Sequence, residues 1–515
     1  MTDRAPWASD AAAACGEDWA PDDDPRQDAY DPIDPQETDP PSRGAFYGAQ
    51  VNTAEEITDA SLAEELGIRE WDENARYVAD WDCWLFWDGS RWVRAPFVVA
   101  IARVRDFLKV KAAEIRADAV GDNTRKADKL VRELRSHRTT TAVYNMARSN
   151  WSSIASQDAF DSDHLLLGTP GGTVDLKTGI LRAAMRSDMI TKSTAVTPAP
   201  KGTHAPIWTR FLESTFPDDN GDPDRELISF MQRAAGYAIT GLTEEHKLLF
   251  LYGRGRNGKG TFVNTLVSIC AEYGLTVGSD IFVQQQFQRH RESIAQLHGR
   301  RLVAANELPK GATWNDDILK SLTGGDEISA NFMRQNSFTF RPQSTLFISG
   351  NNRPAFKGVD TAMRERFLLV PFRATFLANS GKQDPRLQDK LRAEWPAILR
   401  WAIDGAVEWR RQGLNPPQVV KQASAEYMDD EDAVANFISE YLVPDPDAKT
   451  ATSEIYPAFR TWREAQGAKQ WTQTAMTRAL GEEGNVEVKR TRPSSRDNPT
   501  SCVIGFRLKT GATFP

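Results

Sequence analysis

LLFLYGRGRNGKGTFVNTLVSICA, residues 248–271, decides the fold. Its first five residues are an unbroken apolar run, which reads as a strand covered on both faces, and TFVNTLVSIC has apolar residues at helical spacing. Between them the run from Gly253 to Lys259 carries three glycines. A glycine-rich loop between a buried strand and a helix lets backbone N–H groups turn inward around phosphate oxygens. Gly253, Gly255 and Gly258 permit that turn, Asn257 lies within it, and Lys259 reaches for the β and γ phosphates at the positive end of the helix. The alternative, a glycine-rich turn with a surface lysine, leaves the flanking strand and helix unexplained. Gly260 stands where a Ser or Thr hydroxyl ordinarily ligates Mg²⁺, so Thr261 is the candidate for that hydroxyl or for a phosphate contact. ATP and Mg²⁺ are the expected cofactors.

Working outward, RRLVAANEL (300–308) reads as a second buried strand ending in Asn306 and Glu307. An acid there polarises an attacking water and supports the metal. Glu307 fits that role, and Asn306, where a second acid is common, is the other candidate near Mg²⁺. STLFISGNNRPAF (344–356) is a third apolar strand ending at Asn351, which can hold the lytic water or sense the γ phosphate. GVDTAMRERFLLVPF (358–372) then sets Arg364 and Arg366 before a fourth strand. A guanidinium there can reach a neighbouring subunit's nucleotide, and Arg366 is the first choice. Surface ion pairs are the alternative for both arginines.

The net charge of −8 argues against a nucleic-acid partner until it is divided along the chain. Residues 1–45 hold twelve acids and three arginines, a local −9, so the other 470 residues sum to about +1. Residues 450–515 hold ten Lys or Arg against six Asp or Glu. The four cysteines are scattered without metal-ligand spacing, so neither a zinc site nor a disulfide framework is indicated and four reduced thiols are expected. No stretch is long and apolar enough to span a membrane and the start lacks a signal sequence, so a cytoplasmic location is expected.

Composition shifts divide the chain into an acidic, disordered tail (1–65), an α+β domain (66–205), the glycine-loop core with a helical lead-in (206–376), a helical segment (377–441) and a C-terminal domain (442–515). WDCWLFWDGSRWV (81–93) reads as a hairpin turning at Asp88-Gly89. GTPGGTVDLKTGIL (168–181) reads as short strands of the first domain, and TPAPKGTHAPIW (197–208) as a linker. VPDPDA (443–448) punctuates the chain before two helices and two strands.

HGRRLVAANELPKG (298–311), LKSLTGGDEISANFMRQNSFTFRPQSTLFISGNNRP (319–354) and GVDTAMRERFLLVPF resemble, in order and wording, the poxvirus-type and phage/plasmid primase–helicase family within superfamily 3 helicases. The likeness extends upstream through WLFWDGSRW and PIWTRFLESTF, about Trp81 to Phe376 in all. The resemblance implies an α/β fold with an AAA+-like P-loop motor on a parallel sheet, six subunits in a ring and 3′-to-5′ travel on single-stranded DNA. It also implies a DNA-engaging hairpin within Lys320 to Arg341, with Lys320, Arg334, Gln335 and Asn336 facing the channel. The family's tryptophan and two arginines are replaced by Arg364-Glu365-Arg366. Arg254 and Arg256 add charge to the loop.

Many relatives carry a primase domain ahead of the helicase. The proline- and aspartate-rich start of this chain could not hold two metals at fixed geometry, so no primer synthesis by this chain is expected, and a separate primase is a candidate partner. The last seventy residues resemble a winged helix, with Lys489, Arg490, Arg492 and Arg496 on the wing; a solvated hairpin in a protein-interaction module reads nearly as well. The leading expectation is a replicative helicase of a phage, plasmid or integrated element, acting on single-stranded and forked DNA as a homo-oligomer. A DNA-binding initiator that uses ATP only as a switch is the first rival. A small-molecule kinase is the second, favoured by the GKGT string alone.

Overall fold

A computed structural model describes residues 57–120, 123–150, 152–284, 290–332, 337–356, 360–376, 384–465, 470–482, 486–494 and 498–509. Most of the acidic tail lies outside them. The contacts divide the chain into two units, 1–162 and 163–515.

In the first unit Thr58 caps a helix, Asp59–Leu66, by accepting from the Ser61 N–H at 3.1 Å. Three antiparallel strands follow, Ala75–Val78, Cys83–Trp87 and Trp92–Ala95. Their hairpin turns where the sequence predicts: Asp88 Oδ1 accepts from the N–H groups of Ser90 and Arg91 at 2.7 and 2.9 Å, and Gly89 takes φ +101°. Three helices, Phe97–Ala117, Thr124–Leu134 and His137–Ala147, close over Trp71, Trp84, Phe86 and Leu108. Helix and strand are mixed as the composition predicts.

By contacts the second unit begins at Asp163. The strands Leu166–Thr169, Gly172–Asp175 and Ile180–Arg182 belong to it: Leu167, Val174 and Leu176 share a core with Trp208 and Phe262. Arg301, 3% exposed, fixes this small sheet by donating to the carbonyls of Leu166 and Ile239, both at 2.9 Å. The stretch read as a linker is also held, through the Ala199 N–H bonded to the Pro396 carbonyl at 2.8 Å.

The centre is a five-stranded parallel sheet. In chain order its elements are α1 (Arg225–Ala238), β1 (Leu248–Tyr252), α2 (Lys259–Cys270), β2 (Gly274–Gly278), β3 (Leu302–Asn306), α3 (Asp316–Gly324), β4 (Thr345–Gly350), α4 (Thr361–Arg366), β5 (Phe367–Pro371), α5 (Trp395–Gln412) and α6 (Gln418–Tyr441). The spatial order is β5-β1-β4-β3-β2, so the chain leaving β1 passes over two strands to the far edge and works its way back. Alternate residues of the strands feed two cores, Leu249, Leu251, Ala304 and Phe347 on one face, and Leu248, Phe250, Val303 and Ile348 on the other. Burial on both faces explains why these strands read as continuous apolar runs. On one side α1 crosses α5 at backbone contact. A Cβ on Gly236 would sit 2.0 Å from Ala406 N, and one on Gly405 2.1 Å from the Gln232 carbonyl oxygen.

VPDPDA is part of a strand. β6 (Leu442–Ala451) pairs with β8 (Thr500–Leu508), which also pairs with β7 (Glu487–Thr491), while α7 (Thr452–Ala465) and α8 (Gln473–Glu482) pack against them. β6 is an edge strand with a register shift between Pro444 and Lys449, the setting in which proline is tolerated.

Candidate functional site

Tyr252 ends β1, and the glycine loop follows at the carboxyl end of the sheet. Three of its residues take left-handed φ, Gly255 at +86°, Arg256 at +50° and Gly258 at +88°. Gly253 has no room for a side chain, because a Cβ would lie 2.1 Å from Asn257 Nδ2 and 2.4 Å from the Phe372 carbonyl oxygen. Asn257 is 2% exposed and pins the loop to the chain leaving β5, donating to the Phe372 carbonyl at 3.2 Å. The Phe376 N–H adds a second tie, to the Arg256 carbonyl at 2.7 Å.

The Lys259 ammonium is buried at the start of α2. It donates to the Gly253 carbonyl at 2.7 Å, to Asn351 Oδ1 at 3.0 Å and to Asn257 Oδ1 at 3.1 Å. Burial pushes its pKa down to about 8. The bond to Asn351 spans neighbouring strands, since β4 lies against β1 in register from Leu346 and Leu248 to Gly350 and Tyr252. Two separated motifs thus meet at one atom. Loop N–H groups, the positive end of a twelve-residue helix and a buried ammonium can together hold a polyanion.

Glu307 follows β3 at the same end of the sheet. Its backbone is held at φ +61°, its carbonyl accepts the Ser279 hydroxyl at 3.2 Å, and its exposed carboxylate makes no hydrogen bond or ion pair among the described residues. Asn306 is occupied instead, its Oδ1 accepting the Ser349 hydroxyl at 2.6 Å. Gly260 is exposed with nothing within 4 Å of its Cβ position, and Thr261 next to it is half-buried. Among the described residues no three His, Cys, Asp or Glu side chains cluster as a metal site. The Thr261 hydroxyl and the Glu307 carboxylate are oxygens of the kind that could ligate a divalent ion.

The two arginines lie elsewhere. Arg366 immediately precedes β5, whose first residue is in register with Leu248 at the start of β1. They therefore sit at the amino ends of the strands, and five residues at about 3.3 Å each put the two rims roughly 16 Å apart. Arg364 Nη1 meets Asp429 Oδ1 at 2.8 Å; Arg366 donates to the Ala362 carbonyl at 3.1 Å, and its Nε is buried without a hydrogen-bond partner.

Lys320 lies on α3, not on the hairpin, and pairs with Asp360, whose other oxygen caps α4 at the Met363 N–H, 2.8 Å away. The hydrogen bond from Lys320 holds the Asp360 carboxyl below its usual range. The hairpin itself is formed by Ile328–Ala330 and Phe338–Phe340; Arg334, Gln335 and Asn336 lie outside the described residues. The sequence reading overlooked Phe332, 38% exposed, which stacks on Phe338 at 5.7 Å. On the C-terminal hairpin Lys489, Arg490 and Arg492 are exposed, with Lys489 paired to Glu487 at 2.5 Å; Arg496 lies outside the described residues.

Residues 65–217 match the family described as D5 N terminal like, and residues 251–366, from the glycine loop to Arg366, match a family of unknown function, DUF5906. A protein of Acanthamoeba polyphaga mimivirus, provisionally named a helicase, is 24% identical over 59% of this chain and 33% of its own length. Primase D5 of Fowlpox virus (strain NVSL) is 29% identical over 27% of this chain and 18% of its own. The chain thus spans a third or less of these two curated relatives. The solved apo structure of the NrS-1 C-terminal region aligns over 88% of this chain and 100% of its own, at 11% identity and a TM-score of 0.41.

Proposed function

The chain belongs to the poxvirus-type primase–helicase family, and from that premise we propose that it is an ATP-hydrolysing DNA translocase of the superfamily 3 type, working as a ring. The observation that carries the reading is the Lys259–Asn351 contact, which joins a phosphate-loop lysine to a sensor-position amide at the carboxyl end of a parallel sheet. On this reading Gly253, Gly255, Asn257, Gly258 and Lys259 hold the ATP phosphates. Thr261 and Glu307 support Mg²⁺, which screens phosphate charge, and Glu307 orients the attacking water.

The placement of Arg364 and Arg366 supports a ring. Arg364 is taken by Asp429, so Arg366, at the rim away from this chain's own loop, is the arginine assigned to a neighbour's phosphates, and stabilising charge from such an arginine contributes about 10³ to 10⁵ in rate. Head-to-tail contacts of that kind close into a ring or run on as a filament. The short hairpin, with the exposed Phe332 just past its first strand, suits stacking on a single-stranded base. The β6-α7-α8-β7-β8 order supports a winged helix with Lys489, Arg490 and Arg492 toward duplex phosphates.

Gly260 and the occupied Asn306 favour a second reading, an ATP-switched initiator that binds without turnover. One experiment separates the two: ATP hydrolysis at several protein concentrations, with and without single-stranded DNA, beside Lys259→Ala. Stimulation by DNA that steepens with concentration supports the motor; ATP binding without turnover supports the switch.

A further inference from the structure

Near its middle α6 carries four consecutive acids, Asp429 to Asp432. Like charges packed this closely repel unless each finds a donor. Asp429 takes Arg364, and Glu431 Oε2 takes the Phe356 N–H at 3.1 Å. Asp430 is shared between two parts of the molecule. Arg353 Nη1 lies 3.7 Å from its Oδ2, while Arg463 Nη2 and Trp471 Nε1 reach its Oδ1 at 3.3 and 3.1 Å. Arg463 is 4% exposed, and burial raises the Asp430 carboxyl above the usual carboxylate range. A half-buried carboxylate that faces one buried guanidinium leaves that charge uncompensated if it is removed, which is the costly side of breaking such a pair.

Arg353 belongs to the glycine-loop site by both sequence and contact. It lies two residues past Asn351, and its guanidinium sits 4.8 Å from the ring of Tyr252, the residue before the loop. Arg463 and Trp471 belong to the C-terminal domain, where Arg463 lies over the Trp471 ring at 4.7 Å. One carboxylate therefore joins the strand ends that frame the loop to the domain that carries the basic hairpin.

We propose that Asp430 is a positioning residue that couples occupancy of the glycine-loop site to the conformation of the C-terminal β6–β8 domain. The proposal rests on the nucleotide reading of that site. A phosphate that takes the Lys259 ammonium removes the donor from Asn351. The segment from Asn351 to Arg353 then rearranges, and Arg353 carries the change to Asp430 and on to Arg463 and Trp471. Asp429, the neighbour on α6, holds Arg364, so the same helix turn also feels the arginine rim.

The test is hydrogen exchange of residues 452–508 in the full chain, with and without a non-hydrolysable ATP analogue, in the native protein, Asp430→Asn and Trp471→Phe. Trp471→Phe removes the indole N–H while keeping a smaller aromatic ring beside Phe459 and Arg463, so it serves if Asp430→Asn fails to fold. The analogue is expected to change protection of the C-terminal domain in the native chain, and that change is lost in the variants while analogue binding persists. A merely structural role would alter protection equally with and without analogue. An unchanged nucleotide response in the variants, or none in a native chain that binds the analogue, overturns the coupling. Failure of the native chain to bind the analogue overturns the nucleotide reading and the coupling with it.

Discussion

Lys259 is held as an ammonium by three oxygens and penalised by burial, and the second effect exceeds the first, leaving its pKa near 8 instead of 10.5. Between those values the unfolded chain holds a proton that the folded loop has released. The contribution of this lysine to stability therefore rises with pH across that window and is lowest below about 8. An arriving phosphate reverses the balance by favouring the charged form. Nucleotide binding near pH 8 is expected to take up a fraction of a proton, read by calorimetry in two buffers of different ionisation enthalpy; the uptake should vanish well below pH 8 and in Lys259→Ala. At the other rim, Arg366→Ala should leave nucleotide affinity unchanged and cut turnover by about a thousandfold or more. Normal turnover in that variant would remove Arg366 from the mechanism.

Among the elements, the crossing of α1 and α5 is the most sharply constrained. The Cβ of Gly405→Ala would meet the Gln232 carbonyl, a backbone atom that cannot swing aside, so a loss of about 1–3 kcal/mol is expected in urea unfolding. The glycine loop and its flanking strand and helix were legible in sequence because they are contiguous and each has its own period. Asn351 and Glu307 were legible because buried parallel strands end abruptly in polar residues. The rest depended on partners distant in sequence. Lys320 pairs with Asp360, forty residues away, and nothing local in the sequence reveals that partner. VPDPDA read as a break because its proline and aspartate content argues against a strand, yet an edge position asks little of its N–H groups. GTPGGTVDLKTGIL read as strands, but its packing through Leu167 and Val174 against Trp208 and Phe262 has no local signal. The acid run at Asp429 is a signal in the sequence itself: like charges packed inside a helix call for donors elsewhere, and Asp429, Asp430 and Glu431 each have one.

For the whole molecule, the separation of the two rims means that each subunit would present two unlike faces, one offering a glycine loop and the other an arginine. Turnover should then fall faster than linearly as protein is diluted, and equilibrium sedimentation over the same range should track the loss. A monomer with full activity would refute the arrangement. If Arg366 serves a neighbour's phosphates as proposed, a genetic consequence follows. A copy lacking Arg366 would disable the site of the copy beside it, while its own loop could still be served by an intact neighbour. Two inactive alleles, Lys259→Ala and Arg366→Ala, should complement each other when expressed together, because an intact loop on one product can meet an intact arginine on the other.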